Sequence, residues 1–182
     1  MTFVNRHPNR HSPLVLDVLE LGRGPGTMRE VQRTVPAPAD LGIEVIGVPQ
    51  DSDIELDLRM EDVGDGVLVS GTATAQLNGE CVRCLKELGE RTPFAIQEMF
   101  FNPGQEVEED ESQIQDDLID LEETLRHSVV LELPFKPLCR EDCRGLCSQC
   151  GTDLNEDPEH EHAANVDARW EELAKLDLGP EN

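Results

Sequence analysis

The period of the apolar positions changes along the chain, and those changes divide it. Leu14-Val15-Leu16-Asp17-Val18-Leu19-Glu20-Leu21 is a short apolar run that predicts a strand. The glycines and proline from Gly22 to Gly26 break it, and Pro36 and Pro38 bound a connector. Ile43 to Val48 predicts a further strand. Ile54-Glu55-Leu56-Asp57-Leu58-Arg59-Met60 alternates strictly, so one face is buried and the other wet. After a turn at Asp62 to Gly66, the Val- and Thr-rich stretch Val67 to Leu77 predicts a strand that ends at an Asn78-Gly79 turn. Thr92 to Phe101 predicts its return. Neighbouring strands joined by Gly-rich turns predict an antiparallel meander.

Asn102-Pro103-Gly104 ends this β region, and the period then lengthens. Leu118, Leu121, Leu125 and Val129 recur at helical spacing, which predicts a helix from about Asp116 to Leu131. Acids crowd its first turn, where the helix dipole favours them. Pro134 and Pro137 stop it. Near the C-terminus, Asp167 predicts the N-cap of a short helix from Ala168 to Leu176, with Trp170, Leu173 and Leu176 on one face.

These patterns predict an α+β chain. Residues 1–13 are expected to be disordered, and 14–104 form the antiparallel β region. Residues 105–115 make an acidic linker and 116–133 the central helix. Residues 134–178 form a Cys/His-rich module that ends in the short helix, and the whole is one compact unit.

Composition adds two constraints. Aromatic residues are only 3% of 182, with one Trp and no Tyr, so the core is built from Val, Leu and Ile and is thin for the length. A structural metal compensates for a thin core, because its binding energy becomes folding energy. Charge is the second constraint: 39 acids against 15 bases give −24. That argues against a protein wrapped along nucleic acid, which needs a basic face, and fits a partner that is itself basic. From Thr92 to Leu125 there is no Lys or Arg. Five arginines up to Arg33 stand out locally. Arg23, Arg29 and Arg33 belong to a solvated loop in the plain reading, and contact RNA phosphate or an acidic partner in the sharper one. The start of the chain lacks an apolar leader, and no apolar run approaches the ~20 residues of a membrane helix. A cytoplasmic protein is therefore expected, in a compartment where clustered cysteines serve as metal ligands more often than as disulfides.

The cysteines carry the chemistry. Cys81-x2-Cys84 stands alone, and Cys139-x3-Cys143-x3-Cys147-x2-Cys150-Gly151 forms a block. A Cys-x2-Cys loop points two thiolates at one centre, and a following glycine lets the chain turn close to sulfur. Closed structural zinc sites take four Cys or His ligands. Six cysteines with His160 and His162 make eight, enough for two ions. The preferred pairing sets Cys81, Cys84, Cys139 and Cys143 on one zinc and Cys147, Cys150, His160 and His162 on a second. A single ribbon of Cys81, Cys84, Cys147 and Cys150 is the competing count. Alternate side chains of an extended chain point opposite ways, so both imidazoles reach one ion only if the backbone bends. No phosphate-binding loop, nucleophile elbow or His-Glu-x-x-His is present, and a thiol-rich ligand set favours closed sites, so no enzyme is expected. Neither Cys-x2-Cys has the strand-to-helix setting of a thiol oxidoreductase.

Three segments together resemble a known family: Gly79-Glu80-Cys81-Val82-Arg83-Cys84-Leu85, Leu133-Pro134-Phe135-Lys136-Pro137-Leu138-Cys139, and Asp142-Cys143-Arg144-Gly145-Leu146-Cys147-Ser148-Gln149-Cys150-Gly151-Thr152-Asp153-Leu154-Asn155. With the closing Asp167 to Leu173, the chain resembles the YceD family, the large ribosomal RNA subunit accumulation proteins, in its actinobacterial form. The resemblance implies a non-enzymatic role in accumulation of large-subunit (23S) ribosomal RNA and in ribosome biogenesis. It implies as partner a large-subunit precursor or a basic ribosomal protein, with no membrane and no small-molecule substrate. Limited or indirect rRNA contact then falls to Arg23, Arg29, Arg83 and Arg144. Many members of the family carry Cys-x-Cys where this chain has His160-Glu161-His162, which implies that one ligand pair replaces another. The rival from another class is a zinc-ribbon nucleic-acid binder or transcription regulator.

Overall fold

The structure is a computed structural model and describes residues 8–21, 24–105, 108 and 111–162. Strands β1 (Val15–Asp17), β2 (Met28–Pro36), β3 (Leu41–Ile43), β4 (Ile46–Val48), β5 (Asp53–Asp62), β6 (Gly66–Glu80), β7 (Glu87–Phe101), β8 (Ser112–Gln113) and β9 (Leu118–Asp120) precede one helix, α1 (Glu122–Glu132). The main sheet runs β2-β5-β6-β7 in antiparallel register. The β3–β4 hairpin joins it at the far end of β6, and β8 adds two residues parallel to β7. β1 and β9 form a separate antiparallel pair.

Alternation along the strands sets the core. Ile54, Leu56, Leu58 and Met60 of β5 point to the same side as Val69, Ala73 and Ala75 of β6 and Phe94 and Ile96 of β7. Leu16, Ile119, Leu121, Leu125 and Val129 from the β1–β9 pair, the helix N-cap and α1 close over that face. Burying each larger side chain stabilises the fold by roughly 1.5–3 kcal/mol. The other face of the sheet carries Glu55, Asp57, Thr72 and Gln97 and is left to water.

Several elements depart from the sequence expectation, each for a local reason. The central helix starts at Glu122, not near Asp116. Asp116 and Asp117 adopt φ of 51° and 61°, a left-handed turn that no helix can contain, and Leu118 to Asp120 pair with β1. The helix then begins where Asp120 Oδ1 accepts the Glu122 N–H at 3.0 Å. The apolar run at Leu14 is a strand only to Asp17. There the Asp17 carboxylate accepts the Leu19 N–H at 2.9 Å and turns the chain into a short 3-10 helix, Val18–Leu21. Arg29 and Arg33 lie in β2, not in a loop, because all nine of its residues pair with β5. Ile43 to Val48 spans the last residue of β3, the tip and the second strand of the β3–β4 hairpin, in which Gly42 and Gly47 face each other. A Cβ on Gly42 would sit 2.4 Å from the Gly47 Cα. Asn78 and Gly79 are strand, not turn; Gly79 lets the Val45 carbonyl come within 2.6 Å of where its Cβ would be. β7 starts at Glu87, five residues earlier than expected, and part of the acidic linker forms β8. Of residues 1–13, expected to be disordered, 1–7 lie outside the described residues, whereas 8–13 form turns in which the Ser12 N–H donates to the Asn9 carbonyl at 2.7 Å; the expected helix from Ala168 to Leu176 also lies outside the described residues.

Candidate metal centres

Cys81 follows directly on β6 and Cys84 precedes β7, so a tight knuckle joins the two longest strands. The Leu85 N–H donates to the Cys81 carbonyl at 2.8 Å and the Cys81 N–H to the Lys86 carbonyl at 2.9 Å. Leu85 takes φ of 58° in the place where a knuckle more often has glycine. Pro134 and Pro137 then steer the chain after α1 back to this knuckle, where the Val82 N–H donates to the Pro137 carbonyl at 3.0 Å. Cys139 and Cys143 arrive with it.

Their sulfurs meet those of the knuckle. Cys81 Sγ lies 3.8 Å from Cys143 Sγ and Cys84 Sγ 3.6 Å from Cys139 Sγ, and all four lie within 4.8 Å of one another. A tetrahedron with sulfur at ~2.3 Å from the ion has edges of about 3.8 Å. None of these sulfurs is in a disulfide. Cys81, Cys84 and Cys143 are buried, whereas Cys139 is exposed. Burial acts to raise Cys81, but backbone hydrogen bonds from Cys139, Cys84 and Arg83 outweigh it and bring its thiol down to about 6. Although the residue is exposed, desolvation at its sulfur and the neighbouring Cys84 sulfur push Cys139 up to about 12. The Lys86 backbone draws Cys84 down, yet burial and the Cys81 sulfur win and raise it. Four thiolates this close repel one another, so full ionisation requires a cation among them.

The second group is local. Gly151, at φ of 78°, turns the chain so that its N–H donates to the Cys147 carbonyl at 2.8 Å, and the Cys147 N–H donates to the Thr152 carbonyl at 2.8 Å. The backbone bend that two imidazoles require is present. The His160 N–H donates to the Asp157 carbonyl at 3.3 Å, and both rings turn Nε2 inward. His162 Nε2 is 3.1 Å from Cys147 Sγ, His160 Nε2 is 3.1 Å from Cys150 Sγ, and the two Nε2 atoms are 3.0 Å apart. Thr152, through its hydroxyl and backbone, brings Cys150 down to about 6 against a smaller desolvation at its sulfur. Asp157 Oδ2 lies 3.5 Å from His160 Nδ1, the partner that fixes a ligating imidazole in the right tautomer.

The eight Cys and His donors therefore fall into two groups of four, Cys81, Cys84, Cys139, Cys143 and Cys147, Cys150, His160, His162, each able to hold a metal ion. Among the described residues no group joins Cys81 and Cys84 to Cys147 and Cys150, as a single ribbon would need. Both donor sets fit a small thiophilic cation, and each supplies all four corners of a tetrahedron.

The groups share a frame that spacing did not reveal. Asn155 Nδ2 donates to Cys143 Sγ at 3.5 Å, while its Oδ1 accepts the Arg144 N–H at 2.8 Å and Arg140 Nη2 at 2.8 Å. Lys86 Nζ, from the first knuckle, meets Asp153 Oδ2 at 3.0 Å. The Asn155 N–H and Lys86 hold that carboxyl below the usual range, and Asp153 in turn raises Lys86. The only sequence sign of this frame was the position of Asp153 and Asn155 just beyond Gly151.

Of the four arginines expected at an rRNA contact, Arg23 lies outside the described residues. Arg29 is half-buried in β2 opposite Met60, whose other neighbour is Val69. Glu80, beside the first knuckle, is eleven residues further along β6, roughly 35 Å by strand rise. Arg29 thus shares no patch with Arg83 and Arg144. Those two stand at the junction of the metal groups, where Arg83 Nη1 donates to the Cys143 carbonyl at 2.7 Å and Arg144 Nη1 to the Pro158 carbonyl at 3.2 Å. Among the described residues no helix is long and apolar enough to cross a membrane.

Comparison with known proteins follows the same residues. A family model described as large ribosomal RNA subunit accumulation protein YceD matches residues 69–177. An uncharacterized protein of Mycobacterium tuberculosis is 46% identical over 176 residues, covering 94% of this chain and 84% of its own length. One of Mycobacterium leprae is 41% identical over 175 residues, covering 93% of this chain and 80% of its own. No solved structure matches significantly.

Proposed function

We propose, from the premise that the chain belongs to the YceD family of large ribosomal RNA subunit accumulation proteins, that it supports large-subunit biogenesis as a non-enzymatic cytoplasmic factor. Family membership is the observation that carries the role. The residues supply the means. One set of four cysteines, and one of two cysteines with two histidines, draw every corner of a tetrahedron from protein. Such sets suit structural zinc, which would fix a surface and leave no position for substrate. Cys81, Cys84, Cys139 and Cys143 would hold one ion, and Cys147, Cys150, His160 and His162 the other. The first would tie the β6–β7 turn to the segment after α1, and the second would fold the chain up to His162. Bound zinc supplies cross-linking, not bond-making chemistry.

A net charge of −24 supports action through a basic protein of the large subunit more than through general RNA binding. Arg83 and Arg144, both engaged with backbone carbonyls, remain exposed enough for limited rRNA contact. The test is the ratio of 23S to 16S rRNA in a deletion strain complemented with wild type or with Cys81→Ser. The expected result is a lowered ratio that wild type restores and the variant does not. A normal ratio in the deletion strain overturns the assignment.

A further inference from the structure

One face of the first knuckle is unused by the metal frame. Residues 82–86 divide by side. Arg83 and Lys86 reach into the Cys-rich block, to the Cys143 carbonyl and to Asp153. Val82 and Leu85 instead line an open groove of about 940 Å³ between the knuckle and the β3–β4 hairpin. Both are exposed, Val82 to 40% and Leu85 to 59%. Leu85 gains little burial there, and it occupies a backbone conformation that disfavours a side chain. The isolated chain thus bears a cost at Leu85 that its own packing does not offset.

The rim is frustrated in a second way. Glu80 and Glu87 face each other directly across the β6–β7 pair, a like-charge register that destabilises a sheet. Glu44, at the hairpin tip, lines the same groove. None of the three has a salt-bridge partner among the described residues, and no Lys or Arg lines the groove. Gly79 and Gly89 also line it. The charged groups on it are not buried, so it lacks the buried, converging polar groups of a small-molecule site.

We propose that this groove is the docking surface for a basic segment of a partner protein, with an apolar side chain against Val82 and Leu85 and Lys or Arg against Glu44, Glu80 and Glu87. Charge complementarity selects that occupant over a second copy of this acidic chain or over nucleic acid. The proposal rests on the reading above that a large-subunit protein is the partner, and says where it binds.

The test places a photo-crosslinking amino acid at Val82 or Leu85 of the full-length, metal-loaded protein, with controls at Thr72 on the wet sheet face and at exposed Phe135. The probe is the mixed proteins extracted from salt-stripped large ribosomal subunits, with products identified by mass. Crosslinks from positions 82 and 85, and not from 72, to a Lys/Arg-rich subunit protein are expected. Glu44→Gln, Glu80→Gln and Glu87→Gln together should weaken that capture about tenfold, with metal content by native mass spectrometry unchanged. Capture of such a protein mainly from position 135 or 72 overturns the groove and leaves the partner class standing. Failure of any subunit protein to bind the chain overturns both. Crosslinks from position 85 to rRNA or to a second copy overturn the groove's assigned occupant.

Discussion

The carbonyl of Arg83 accepts a hydrogen bond from the N–H of Leu146 at 3.0 Å. Arg83 lies between the first two donors of one metal group, and Leu146 immediately precedes the first donor of the other. A single backbone bond thus spans the two centres. Leu146 also bridges to Asp153, whose carboxylate holds Lys86 of the first knuckle. Damage to this junction is therefore expected to reach both centres.

Gly145→Ala tests the contact directly. Gly145 has φ of 79°, and an added Cβ would lie 2.8 Å from the Arg83 carbonyl oxygen. Backbone oxygen cannot move aside cheaply, so the variant should lose about 1–3 kcal/mol in urea unfolding of the metal-loaded protein. Gly104→Ala has nothing within 4 Å and serves as a control for positive φ alone, with the smaller loss.

Asn155→Ala should weaken the first centre although Asn155 supplies no ligand. It removes the donor to Cys143 Sγ and the acceptor that holds Arg140 and the Arg144 N–H. Loss of such an outer partner commonly costs about 10–100-fold in metal affinity. Competition with a chromophoric zinc chelator measures it, and unchanged affinity would leave Asn155 a turn former only.

Much of this site was legible in the sequence, because ligand chemistry limits what six cysteines and a His-x-His can do. Counting donors gave two groups of four, but the strict alternation of side chains in extended chain argued against His160 and His162 meeting at one of them. The bend at Asp157 reverses that, and nothing in the spacing announced it. Asn155 escaped for a related reason: an outer-shell donor obeys no ligand spacing. In the fold, the alternating strand β5 could be read directly, since its burial follows its own residues. β2 could not, because Arg29 and Arg33 enter a strand through pairing with β5, a property of distant residues. The helix start was hidden by the left-handed Asp116 and Asp117, which interrupt an otherwise continuous apolar period.

Metal loading should release protons, chiefly from the first centre. Cys139, at about 12, and Cys84, raised above its ordinary value, are protonated at neutral pH, whereas Cys81 and Cys150, at about 6, are largely thiolate already. Zinc must displace the protons held by Cys139 and Cys84, so affinity rises with pH and falls on acidification. Titration of the metal-free protein in weak buffer should release at least the two protons that Cys139 and Cys84 hold. The Cys139→Ala variant should release fewer.

Chelation should remove the two ions at different rates. Cys81, Cys84 and Cys143 are buried, while Cys147 is half-buried and Cys150 and His162 are exposed. Addition of excess EDTA should strip the second centre fast and the first slowly, seen as two kinetic phases of metal release. Loss of the fast phase alone in Cys147→Ser would assign it.

Metal stoichiometry by native mass spectrometry tests the central claim most directly. Two zinc ions are expected on the wild-type chain, one on the chain carrying His160→Ala and His162→Ala, and no disulfide in either. One ion on both proteins, or a mass two hydrogen atoms lighter per cysteine pair with no metal bound, would contradict it.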